Sequence, residues 1–322
     1  MQIIEGIAAL KKYHQDQICL ALGNFDGVHL GHKKILQATV ALAKAKEIKS
    51  AVLLFVPHPL TVLFPESSPK LLLSLEDRIA LLGKTGIDFV IIHPFSKEFA
   101  LISPEAFVHR ILVEELNVAA VVVGFDYSFG NQGQGTPADL VGMSEKYDFC
   151  VQVIEPVKVN SEVVGSSAIR DYLAKGQVQD VQRLLGFAFF LRGIVVHGDG
   201  RGRRLGFPTA NLSVKENIML PAHGVYLTRV VAGEMQAWAL TNIGRRPTFQ
   251  KKDTTIEIHL LDQSENLYQK ELIVHFLHKM RDEKTFRNAQ DLVKQINRDV
   301  QDAHHLIRTV YATDKHFTPF SC

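Results

Sequence analysis

The chain has 322 residues, long enough to expect two domains, and is 46% hydrophobic and 22% charged, the make-up of an ordinary globular protein. Its net charge of +2 gives no electrostatic reason to expect a nucleic-acid partner, and no run approaches the ~18 apolar residues of a membrane span. The opening "MQIIEGIAALKKYHQDQ" lacks the layout of a secretory leader, and Cys19, Cys150 and Cys322 have neither metal-ligand nor disulfide spacing, so a reducing, cytoplasmic setting without membrane or obligatory protein partner is expected.

In chain order, the first half alternates short apolar strand segments (18–23, 51–56, 88–93, 119–125, 149–154) with helical stretches (31–46, 75–84, 103–116, 136–147). Ser103–Pro104 and Thr136–Pro137 supply N-cap and first-turn pairs. Strands that are apolar throughout and alternate with helices predict a parallel sheet in a doubly wound α/β domain. Ligands of such sheets sit outside the carboxyl ends of the strands. A helical pair over 167–185 follows, and from about residue 183 the pattern changes. Strand segments 189–196, 224–232, 236–243, 254–261 and 271–278 then succeed one another, with a hairpin at Ala232–Gly233. They predict a small antiparallel sheet or barrel. A closing helix over 286–308 carries Ala289, Leu292, Val293, Ile296 and Val300 as an apolar stripe, read as a packing face. The expected domains are 1–182 and 183–322.

"GNFDGVHLGH" (23–32) stands where the first of these strands hands over to a helix. His29 and His32, three apart, share one side of the first helical turn, and Gly31 between them allows close approach to the backbone. Free N–H groups and the helix dipole favour an anion there, most naturally phosphate. Imidazole donors beside it would hold a triphosphate and stabilise charge as pyrophosphate leaves. Gly23 opens the motif, and Asn24 and Asp26 orient a nucleotide or shape the loop. A zinc site short of its other ligands, or two capping histidines, would give the same spacing. "VVVGFDYSFG" (121–130) brings Gly124, Asp126 and Gly130 to the same sheet edge. "VGSSAIRDYL" (164–173) adds Ser166 and Ser167 at a helix start, with Arg170 one turn on. Hydroxyls, N–H groups and a guanidinium suit polyphosphate, and a plain N-cap is the alternative for the serines.

A second constellation lies in "VVHGDGRGRRLGFPTANL" (195–212). Its glycines and arginines, among them Gly198, Arg203 and Gly206, suit a loop that wraps phosphates; a solvated hairpin or a weak RNA contact is the alternative. Thr209 and Asn211, two apart in an extended segment, put two neutral oxygens on one side, a donor set suited to Mg²⁺. Glu257 in "TIEIHLLD" (255–262) is an acid amid alternating strand residues, either a base or a solvent-facing glutamate.

"GNFDGVHLGHKKIL", "PHPL", "VVGFDYSFG" and "SSAIR", in this order, resemble the adenylyltransferase module of prokaryotic bifunctional FAD synthetases, a Rossmann-like family of HxGH nucleotidyltransferases. "LGFPTANL", "GVYLTRV", "NIGRRPTF", "TIEIHLLD" and "MRDEKTF" resemble riboflavin kinase, a small antiparallel β-barrel with a C-terminal helix. The resemblance spans nearly the whole chain. It implies phosphorylation of riboflavin to FMN and adenylylation of FMN to FAD, with Mg²⁺ and ATP at both sites. Carried over, His29 and His32 touch the ATP phosphates with Asn24 beside them, and Asp126 lies near the reacting groups. Ser166, Ser167 and Arg170 close over the triphosphate. Glu257 takes the riboflavin proton, Thr209 and Asn211 hold Mg²⁺, and Arg281 and Phe286 face the flavin. Gly165, Val56, Ser128 and Gln269 depart from the families' usual residues. Gly165 and Val56 motivate the alternative of a riboflavin kinase whose first domain binds nucleotide without reacting. A class I aminoacyl-tRNA synthetase relative is a further alternative, and it would need an RNA-binding surface.

Overall fold

A computed structural model describes residues 1–198, 200–245, 254–263 and 265–312. The segment Arg246–Phe249 of "NIGRRPTF" and Cys322 lie outside the described residues. Contacts divide the chain into two compact units, Met1–Ser166 and Ser167–Cys322. The break falls ahead of the helical pair rather than near residue 183. The reason is packing: helix Val178–Leu185 lies on the last strand of the second unit, and the Ala222 N–H donates to the Leu173 carbonyl at 2.8 Å.

The first unit is built on strands β1 (Gln2–Glu5), β2 (Ile18–Leu22), β3 (Lys49–Val56), β4 (Phe89–Pro94), β5 (Val118–Gly124) and β6 (Cys150–Ile154). They form a parallel sheet in the order β1-β4-β3-β2-β5-β6. Alternate residues Ile18, Leu20 and Leu22 of β2 join a core with Phe107, Ile111 and Leu112. Helix Leu30–Ala45 packs on β2, β3 and β5 and buries Ile35, Leu36, Thr39 and Ala43. Each such aliphatic side chain contributes roughly 1.5–3 kcal/mol by leaving water, which is why the strands read as unbroken apolar runs. The chain runs outward from β2 through β3 to β4, then returns to the other side of β2 as β5 and β6. The order therefore reverses between β2 and β5, and the crevice at their carboxyl ends is where such sheets bind ligands.

Two features depart from the expectation. Strand β1 is too short to read, because it buries Ile4 while Ile3 stays exposed. Over 103–116 the regular helix is confined to Pro104–Ala106, and Phe107–Glu115 winds in wider π turns, with Leu116 N–H reaching the Ile111 carbonyl at 3.0 Å. A hairpin of β7 (Lys158–Val159) and β8 (Glu162–Val163) leads toward Ser166, its turn residues Asn160 and Ser161 having φ of 51° and 68°.

The second unit is a closed antiparallel barrel of β9 (Phe190–Val196), β10 (Ala210–Ser213), β11 (Gly224–Ala232), β12 (Met235–Arg245), β13 (Thr254–Leu260) and β14 (Glu271–Arg281). The strand order is β10-β13-β12-β11-β14-β9. Strand β10, with Asn211 and Ser213 among its four residues, has little β propensity and was not expected. The hairpin at Gly233 is present, with φ of 58° and Ala232 paired to Met235. Thr228 and Thr241 are buried and satisfy each other through a 2.8 Å hydroxyl hydrogen bond.

Helix Ala289–Thr309 lies on the barrel's outside, where Val300, Ala303, Leu306 and Ile307 meet Val225, Leu227 and Leu240. Its packing face is shifted toward the C-terminus from the expected stripe. Ala289 is exposed, whereas Asp299 and Ala303 are buried, and Asp299 is drawn in by an arginine described below.

Candidate active sites

At the end of β2 the chain turns through Phe25, Gly27 and Val28, at φ of 49°, 85° and 42°, before entering the helix at Leu30. Two non-glycine residues in the left-handed region mark a strained loop, as is common at ligand sites. His29 is the N-cap: its Nδ1 accepts from the His32 N–H at 3.2 Å. An accepting Nδ1 carries no proton, so neutral His29 has a donor at Nε2. The His29 and His32 rings stack, with centroids 3.6 Å apart and planes 15° off parallel. His32 Nδ1 is buried without a hydrogen-bond partner among the described residues. Burial, reinforced by His29 and Arg78, holds the proton affinity of His32 well below that of an ordinary histidine, so the ring is neutral.

Gly31 has a protein-side reason as well. A Cβ there would stand 3.1 Å from the His29 ring, so the close approach it permits is that of the neighbouring imidazole. Gly23 and Asn24 begin the same loop, and Asn24 is exposed. Asp26 is buried and shapes the loop: its carboxylate accepts from the Leu72 N–H at 3.0 and 3.1 Å and from the Leu73 N–H at 3.3 Å. Asp126, exposed, follows Gly124 at the end of β5, across the crevice mouth from the histidines' strand. Ser166 spends its hydroxyl hydrogen on the Asp26 carbonyl at 2.9 Å, tying the next helix start to this loop. Ser167 and Arg170 stand on helix Ser166–Lys175 within the second unit. No group of three or more histidine, cysteine or acidic side chains gathers as a metal site among the described residues.

In the second unit, Asn211 pairs with Glu257 across β10 and β13, and Glu257 pairs with Asn242 across β13 and β12. Paired residues share a face, and Ile256 and Ile258 on either side of Glu257 are buried. The half-buried Glu257 and Asn211 therefore lie side by side on the barrel's outer face. The loop before β10 closes against them. A Cβ on Gly198 would overlap the Asn211 amide, and one on Gly202 would overlap the Phe207 carbonyl and stand 3.0 Å from Thr209 Oγ1. Part of the expected wrapping loop is a short helix, Arg201–Arg204, after which Gly206 takes φ of 87°. Arg203 is exposed on that helix.

Arg281, expected on the flavin side, is engaged by the Asp299 carboxylate. Its Nε donates to both Asp299 carboxylate oxygens at 3.0 Å and its NH2 to one at 2.8 Å. Gln295 adds a 2.8 Å bond to the same carboxylate. The pair is buried, with side chains 14% and 6% exposed, and fastens the C-terminal helix to β14. Phe286 is half-buried between these elements in sequence. Asp299→Ala, which strands a buried guanidinium, is expected to lower stability by about 3–5 kcal/mol. Urea unfolding followed by Trp238, the chain's one tryptophan and part of the helix–barrel cluster, would show it. An unshifted midpoint would mean that Arg281 is free for another task.

Two residues escaped the sequence reading. His259, two positions along from Glu257, holds its Nδ1 2.9 Å from the Pro208 carbonyl and meets Phe207 edge-on at 5.5 Å. A carbonyl only accepts, so Nδ1 bears the proton, and β13 thereby fastens the turn that carries Thr209. The period-two spacing from Glu257 was the available signal. Arg78, at 3% exposed, donates to the Asn24 carbonyl at 3.1 Å. No spacing connects it to the histidine motif.

Residues 11–168 match the family model described as FAD synthetase, and residues 185–307 the one described as riboflavin kinase. A Bacillus subtilis (strain 168) protein named bifunctional riboflavin kinase/FMN adenylyltransferase is 37% identical over 91% of this chain and 94% of its own. An Escherichia coli (strain K12) protein of the same name is 34% identical over 93% and 96%. A crystal structure described as a macrolide-efflux protein from Streptococcus pneumoniae has a TM-score of 0.85 at 28% identity, covering 96% of this chain and 99% of that one. Among the described residues no helix is long and apolar enough to cross a membrane.

Proposed function

The chain belongs to the bifunctional riboflavin kinase/FMN adenylyltransferase family, and from that premise we propose how its residues divide the two reactions. The enzyme phosphorylates riboflavin to FMN with ATP, then adenylylates FMN with ATP to give FAD and pyrophosphate. We assign the second reaction to residues 1–182 and the first to residues 183–322. The reactants are small molecules, and the setting we infer is cytoplasmic.

In the kinase, Glu257 accepts the proton of the riboflavin 5′-hydroxyl as its oxygen bonds to the γ-phosphorus of ATP. The bond from that phosphorus to the bridging oxygen breaks, and ADP leaves. Thr209 and Asn211 would hold Mg²⁺. Their neutral oxygens fit a cation that also takes phosphate ligands, and the side chain missing from Gly198 leaves room for the Asn211 amide. When bound, the ion offsets phosphate charge. Gly198, Arg203 and Gly206 lie toward the ATP phosphates. The observation that carries this half is the register of Asn211 against Glu257, which sets a carboxylate beside a neutral amide oxygen.

In the adenylyltransferase, an FMN phosphate oxygen attacks the α-phosphorus of ATP and pyrophosphate departs, with no covalent enzyme intermediate. His29 and His32, both neutral, offer N–H donors to the departing phosphates. Gly23, Asn24 and Asp126 line the nucleotide site, and Ser166 is tied to its loop through the Asp26 carbonyl. The stacked imidazoles at the switch between β2 and β5 carry this half. The family name covers both activities and its matches cover both units, which favours an active first unit over a silent nucleotide-binding one.

Incubation with riboflavin and Mg²⁺-ATP, followed by chromatographic separation of the flavins, tests the reading. FMN should appear first and FAD accumulate from it. FMN without FAD would overturn the assignment of adenylyl transfer to the first unit.

A further inference from the structure

Segment Leu72–Arg78 grips the nucleotide loop at two points. Asp26 reaches across to accept from the Leu72 and Leu73 N–H groups. Ser74 then caps helix Leu75–Gly83, accepting from the Asp77 N–H at 3.1 Å and donating to the Asp77 carboxylate at 2.7 Å. From the first turn of that helix Arg78 returns to the Asn24 carbonyl at 3.1 Å. Asn24 and Asp26 are thus held from one rigid neighbour. Holding a carbonyl needs only a neutral donor. The group used instead is a guanidinium almost wholly out of water, whose Nε has no hydrogen-bond partner among the described residues. A buried cation is costly and a buried donor left unused adds to the cost. Perturbed, partly unsatisfied charge of this kind gathers at functional sites.

We propose that Arg78 is a positioning residue for adenylyl transfer, fixing the Asn24–Asp26 loop with a buried positive charge so that the loop meets an incoming polyphosphate already arranged. Its charge also disfavours protonation of His32, after burial and His29, and so preserves the neutral stack. Arg78 acts through Asn24 and His32. The inference rests on the adenylyltransferase reading of the first unit.

The test uses the full chain carrying Arg78→Met, Arg78→Gln or Arg78→Lys. Each is assayed for FMN to FAD and, in the same preparation, riboflavin to FMN. Arg78→Met should lower kcat/KM for ATP in FAD formation by ~10²-fold, the scale of a displaced catalytic group, with FMN formation within twofold of wild type. Arg78→Lys, which keeps the charge, should recover most of the loss, and Arg78→Gln, which keeps a donor without charge, should recover less. Wild-type FAD formation in Arg78→Met, or Gln restoring as well as Lys, would overturn the proposal. A wild-type protein that makes FMN and no FAD would instead overturn the reading beneath it.

Discussion

Glu257→Gln is expected to slow FMN formation by about 10²–10⁴-fold, the range for removing a positioned general base. FMN supplied directly should still become FAD at the wild-type rate. The substitution keeps the size and the backbone pairing of Glu257 with Asn211 and Asn242, so the strand and the Thr209–Asn211 turn beside it should remain. What is lost is the capacity to take a proton from an alcohol. Phosphorylation at the wild-type rate in Glu257→Gln would reduce Glu257 to one more solvated strand residue.

His32→Ala should have the opposite pattern, with FAD formation falling by about 10²–10³-fold and FMN formation unchanged. In the proposed mechanism the ring contributes a neutral donor, and it also stacks on His29 at 3.6 Å. The helix cap survives, because His29 accepts from the backbone N–H of residue 32, which alanine retains. A loss of both activities would contradict separate sites. Separate rate measurements on the two half-reactions distinguish these outcomes.

What the sequence made legible follows from the range of each signal. The histidine pair lies within one helical turn, and the buried strands are unbroken apolar runs, so local pattern reaches both. Thr209, Asn211 and Glu257 could be chosen by chemistry, but their adjacency depends on the register of β10 against β13. Strand β10 itself carries almost no strand signal. Arg78 was illegible because only the sheet order brings the helix it stands on back to the end of β2. Arg281 misled for a related reason. A cation before a helix looks the same in sequence whether it faces a ligand or a buried aspartate eighteen positions on.

Two chemically distinct sites that each complete one reaction can be disabled separately and then combined. Mixing His32→Ala protein with Glu257→Gln protein, in one solution of riboflavin and Mg²⁺-ATP, tests this most directly. Each variant alone should make almost no FAD. Together they should make it readily, the first supplying FMN that the second adenylylates. A mixture that stays without FAD, although both variants perform their retained half-reactions, would contradict independent sites joined by a freely diffusing intermediate.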